Sequence, residues 1–92
     1  MDAEQRKVID SAISRYGVDM QITVCIEEMS ELIKELCKVK RGQKNLDAIA
    51  EEMADVKIML EQMQIIFKNS LSVEAFYNAK INRLKNRLIK EV

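Results

Sequence analysis

Apolar residues recur three and four positions apart through four successive stretches of this chain, which places them on one face of a helix in each stretch. In the first, Asp2 is placed to cap a helix, with Gln5 as its capping-box partner; the helix runs to about Tyr16, where Gly17 is a plausible stop. Asp19 can cap a second helix reaching about Lys40. Its stripe is Ile22, Cys25, Ile26, Met29, Leu32, Ile33 and Leu36, and Gly42 ends it. Asn45 opens a third, with the stripe Leu46, Ile49, Met53, Val56, Leu60, Met63 and Phe67, broken at Asn69-Ser70. Ser72 is the expected cap of the fourth, with Leu71 and Phe76 as a hydrophobic staple. No alternating strand pattern interrupts the series. Connections of a few residues imply antiparallel neighbours. The expected fold is therefore all-α: four antiparallel helices in a single domain, 1–92, with a long central hairpin completed as a bundle by oligomerisation. A chain this short buries a modest share of its surface, which makes self-association a natural remedy.

Acidic residues change the picture. Glu27-Glu28-Met29-Ser30-Glu31 is echoed by Glu51-Glu52-Met53-Ala54-Asp55, so that each central helix carries two acids three residues apart. Residues at that spacing share a helical face, and pairing the two helices aims four carboxylates at one place. Glu52 and Asp55 fall among Ala48, Val56, Met59 and Ile66, at the margin of the apolar stripe; Glu28 and Glu31 lie near Val24 and Leu32. Crowded carboxylates repel, and partial burial disfavours them further unless a positive charge compensates. Taken singly, such a motif is usually a solvated face; two matched copies on adjacent helices favour a site.

Composition decides which cation suits it. The chain has no histidine, which removes histidine-activated serine or cysteine chemistry and the Glu-x-x-His di-iron site, and leaves carboxylate oxygen as the donor. Oxygen donors favour magnesium, with manganese possible, or calcium. Cys25 and Cys37 sit in one helix about 18 Å apart, too far to bridge, and read as reduced core thiols. The methionines at 20, 29, 53, 59 and 63 read as core filler. The net charge is zero, which argues against general nucleic-acid binding, but residues 68–92 hold six bases against two acids. That imbalance suits an anion held between an acidic centre and a basic last helix. No membrane span or signal peptide is evident, and the expected location is cytoplasmic.

The acidic blocks, with Glu31-Leu32 and Asp55-Val56-Lys57-Ile58 beside them, and the later Asn78-Ala79-Lys80-Ile81-Asn82-Arg83-Leu84 resemble the MazG-type all-α nucleoside triphosphate pyrophosphohydrolases across residues 27–84. The resemblance implies that Glu28, Glu31, Glu52 and Asp55 ligate magnesium and that Lys80 and Arg83, with Asn78, meet substrate phosphates. It implies hydrolysis of a nucleoside triphosphate to monophosphate and pyrophosphate by a homodimer or dimer-of-dimers tetramer whose sites are completed by helices from different subunits. Glu27 or Glu31 is the candidate base for the attacking water. A compact chain without long insertions leaves the base pocket undefined. Two other readings stay open: a noncatalytic helical interaction module, and a nucleotide sensor that turns over slowly. Lys80 and Arg83 also fit an ordinary solvated basic face.

Overall fold

The computed structural model describes residues 1–91 and is all-helical: α1 (Ala3–Tyr16), α2 (Val18–Lys40), α3 (Leu46–Phe67) and α4 (Ser70–Lys90), with no strand among the described residues. α1 begins at the expected capping box. Asp2 accepts from the Gln5 amide at 2.8 Å, and the Asp2 amide donates to the Gln5 side chain at 2.9 Å. Gly17 ends α1 and opens α2 at once, with φ of 87°. Its missing Cβ would meet nothing within 4 Å, so the left-handed backbone alone explains glycine there. Gly17 therefore holds the cap position expected for Asp19, which sits inside the first turn, where its charge suits the helix dipole.

α2 ends as expected at Gly42. The Gln43 amide bonds the Lys38 carbonyl, and Gly42 takes φ of 86°, the left-handed residue of a Schellman ending. α3 ends the same way on a less suitable residue: Lys68 has φ of 53°, and the Asn69 amide reaches the Gln64 carbonyl. Asn69, not Ser72, is the N-cap of α4. That shift removes the expected staple, because Leu71 and Phe76 now lie inside the helix and are 84% and 66% exposed.

α2 and α3 pack along each other and carry most of the tertiary contact, with α1 lying against both. Ile9, Cys25 and Met59 are the buried apolar residues. α4 touches only α3 and buries no residue. The whole is extended: the radius of gyration is 16.3 Å, where a chain of this length would ordinarily give about 12 Å.

The stripes expected for the α2–α3 contact are buried only in part: Cys25 is buried and Ile22, Leu32, Ile49, Val56 and Met63 are half-buried. On α2 the inward line is Gln21, Cys25, Glu28, Leu32 and Glu35, while Ile26, Met29, Ile33 and Leu36 are exposed. On α3 the inward line includes Glu52, Asp55, Met59 and Gln62, while Leu46, Met53, Leu60 and Phe67 are exposed. Of the five methionines expected as core filler, Met59 is buried and Met63 half-buried; Met20, Met29 and Met53 are exposed. Cys37, expected in the core, is also exposed, and both thiols are free.

Candidate metal centre

Glu28 lies on the inner line of α2, and Glu52 and Asp55 lie on that of α3, so packing these two helices gathers three carboxylates. One oxygen from each falls within 4.8 Å of the others, and all three side chains are half-buried. Burial and mutual repulsion both raise the proton affinities of Glu28 and Glu52. Burial, then the charges of Asp55 and Glu52, push the Glu28 carboxyl above its ordinary value, and a hydrogen bond with Asp55 favours its protonated form. Burial, then Asp55 and Glu31, do the same to Glu52. Glu52 Oε2 is buried with no hydrogen-bond partner. A buried acceptor without a donor is unfavourable, and no lysine or arginine forms an ion pair with any of the three among the described residues. The donor set is oxygen alone, gathered and uncompensated, and fits a hard divalent cation.

The other expected residues are placed differently. Glu31 is exposed at the rim of the cluster, near enough for its charge to act on both Glu28 and Glu52. Glu27 is exposed and turned about 100° from Glu28 around the helix, outside the group. Asn78, Lys80 and Arg83 are all exposed on α4, which makes no contact with α2. Within one chain the structure does not bring them to the carboxylates.

Sequence reasoning missed the polar group next along the same seam. Asn45, at the N-cap of α3, makes no capping bond; its Nδ2 donates to both the backbone carbonyl and the carboxylate of Glu35. Lys38 Nζ donates to the other carboxylate oxygen at 2.9 Å. These bonds, that from Lys38 first, hold the Glu35 carboxyl below its ordinary value. The signal was the spacing of Glu28 and Glu35, seven residues apart and so on one line of the helix. The group ties the start of α3 to α2.

No protein-family model matches the chain, and no curated protein or solved structure matches it either. No helix among the described residues is long and apolar enough to cross a membrane.

Proposed function

We propose that this chain is a magnesium-dependent nucleoside triphosphate pyrophosphohydrolase of the MazG type, working in the cytoplasm as a homodimer or dimer of dimers. The observation that carries the reading is the convergence of Glu28, Glu52 and Asp55 from two helices with one buried oxygen left unpartnered. The reading takes α2 and α3 as an antiparallel hairpin. Asn45 meets Glu35 beside the connection, and Asp55, further on in α3, meets Glu28, further back in α2.

Glu28, Glu52 and Asp55 would hold the cation, with Glu31 closing the rim. Bound there, magnesium, or manganese in its place, would neutralise triphosphate charge and make a coordinated water more acidic. Glu31, exposed and beside the cluster, is the better base of the two candidates, since Glu27 points away. It would take the proton as the water oxygen bonds to the α-phosphorus and the bond to pyrophosphate breaks. Lys80 and Arg83, with Asn78, would meet the phosphates from α4 of another copy, because their own α4 stands apart from α2.

The test is a panel of ribo- and deoxyribonucleoside triphosphates with magnesium, scored for pyrophosphate against orthophosphate. Pyrophosphate is the expected product, and orthophosphate alone would point to a different phosphatase. The exposed apolar residues of α2, α3 and α4 favour a second reading, a noncatalytic helical interaction module. That reading gains if neither product forms and magnesium with nucleotide leaves the melting temperature unmoved. Nucleotide binding without pyrophosphate release would instead mark a slow sensor.

A further inference from the structure

The three clustered carboxylates have no ion-pair partner, yet a cation is anchored a short way along the same seam. Two ion pairs form among the described residues: Arg6 with Asp10, exposed on α1, and Lys38 with Glu35. Glu35 follows Glu28 by seven residues and lies close enough to Glu52 for its charge to act there. Both side chains of the second pair are shielded, Lys38 at 30% and Glu35 at 12% exposure. Asn45 holds the other oxygen of Glu35, so the carboxylate is fixed from both sides. The Lys38 ammonium has three donors and spends one on Glu35, at 2.9 Å.

Lys38 shares a face with the rim of the cluster. On α2, Glu31 and Lys38 are rotated by about 60–80° from Glu28, and on α3, Ile58 and Ala54 by about 60–100° from Asp55, in the same sense. In an antiparallel pair such positions lie on one face of the hairpin. Three features follow one another along that face. Lys38 comes first, then Glu31 with the carboxylates behind it. Last is a groove of about 390 Å³ between α1 and α3, walled by Val8, Ile9, Ala54 and Ile58, with Lys57 and Glu61 as its charged members. Lys38 follows Glu31 by about 10 Å along the axis. A helical side chain leans toward the N-terminus of its helix, here toward Glu31, and the bond to Glu35 three residues back shows that lean.

The two ends of this face suit the two ends of a nucleotide: spare ammonium donors at one, a largely apolar groove at the other. We infer that Lys38 is a phosphate-binding residue supplied by the same chain as the carboxylates. It meets the two phosphates that leave as pyrophosphate, while the nucleoside lies in the α1–α3 groove. Glu35 and Asn45 are positioning residues that present the ammonium. The inference rests on the proposed pyrophosphohydrolase reading and adds to it a direction for the substrate along the seam and a cation independent of α4.

Calorimetric titration of the full chain with magnesium pyrophosphate, and separately with each common ribonucleoside monophosphate, tests it. Lys38→Met should weaken pyrophosphate binding about 10- to 100-fold, the loss of one charge-assisted hydrogen bond, and leave monophosphate binding unchanged. Lys38→Arg should restore most of the loss. Lys40→Met, about 200° further round the same helix, should change neither ligand. Ala54→Phe, which fills the groove, should do the reverse of Lys38→Met, weakening the monophosphate and sparing pyrophosphate. Glu35→Gln separates binding from scaffolding. It breaks the ion pair but keeps the ammonium, so pyrophosphate affinity should hold or rise, whereas a purely structural tie would make it fall as far as in Lys38→Met. That fall, a Lys38→Met chain that loses both ligands alike, or a wild-type chain with no affinity for magnesium pyrophosphate would overturn the assignment. Wild-type protein that binds pyrophosphate through Lys38 but releases none from any triphosphate keeps the subsite and removes the enzymatic reading. Undiminished pyrophosphate binding and hydrolysis in Lys38→Met keeps the enzyme and removes the subsite.

Discussion

The α2–α3 pair and α4 are helices of nearly equal length with a similar share of charged residues but opposite net charge, and they solve opposite problems. The pair brings carboxylates inward and leaves Ile26, Ile33, Met53 and Leu60 exposed; α4 brings nothing inward. A helix that buries no residue gains little from tertiary packing, and propensity alone supports about twenty residues only weakly. The pair is also unusual, because it spends its contact on groups that repel. Each region is incomplete in the way the other could mend. One has negative charge without a counter-charge, and the other has Lys80, Arg83 and Arg87 beside an apolar line through Val73, Tyr77 and Leu84. An arrangement that is costly in isolation is more often a site than an accident of packing.

The largest effect should come from neutralising the pair. Asp55→Asn or Glu28→Gln should lower the rate of pyrophosphate release at least about 100-fold, since each removes charge where it is used. The same substitutions, with Glu52→Gln, should raise the melting temperature when no divalent cation is present, because they relieve repulsion. Opposite signs for activity and apo stability mark a site, whereas a structural role would lower both. Wild-type hydrolysis in Asp55→Asn would sink the assignment.

The second test links the regions. Arg83→Ala or Lys80→Ala should slow hydrolysis by about 10- to 100-fold with the fold untouched, as expected for lost charge-assisted phosphate contacts. Mixed with Glu28→Gln and allowed to exchange subunits, Arg83→Ala should regain about a quarter of wild-type activity, since half the dimers are mixed and each mixed dimer has one intact site. No recovery would place α4 over the carboxylates of its own chain.

Stability draws the same contrast at smaller scale. Met59→Ala, at 5% exposure, should cost about 2–4 kcal/mol. Leu84→Ala on α4 should stay within about 0.5 kcal/mol at protein concentrations where the chain is monomeric. Denaturant titration of both at low protein concentration would decide it.

Periodicity made the four helices legible, along with the Asp2–Gln5 box and the Gly17 and Gly42 stops, because these follow from local backbone chemistry. The two α3 acids of the cluster were legible too: Glu52 and Asp55 sit among apolar neighbours, and a helical wheel shows it. The choice between two competing lines on one helix was not legible. Ile26, Met29 and Ile33 continue the same apolar stripe as Cys25 and Leu32, so a wheel does not show that Glu28 turns inward while Ile26 and Ile33 stay exposed. Only the partner helix, bringing Glu52 and Asp55 opposite Glu28, decides the rotation. For the same reason Glu31 seemed as central as Glu28, though it stands at the rim. The start of α4 went astray for a local reason. Asn69 and Ser72 are both good caps, and the left-handed turn at Lys68, not the side-chain ranking, selects Asn69.

The smallest effect, on pH, separates the two ends of the polar seam. Glu28 and Glu52 bind protons more tightly in the fold than their ordinary value of 4.5. Just above 4.5 the unfolded chain has released protons the folded chain keeps, so stability falls as pH rises through the window up to each raised value. Glu35 runs the other way. Its carboxyl lies below 4.5 in the fold, so its contribution is present above 4.5 and lost as pH falls through the lowered value. Without divalent cations the melting temperature should therefore decline from mildly acidic pH toward neutrality. Magnesium should remove that decline by favouring the ionised cluster. Asn45→Ala should leave that decline intact, lower the stability above pH 4.5 and shrink the loss on the acid side, because Glu35, held by Lys38 alone, lies less far below its ordinary value. A melting temperature flat through the window above pH 4.5 without metal, and unmoved by magnesium, would mean that the carboxylates are neither buried nor crowded and that the pair is no more a site than α4 is.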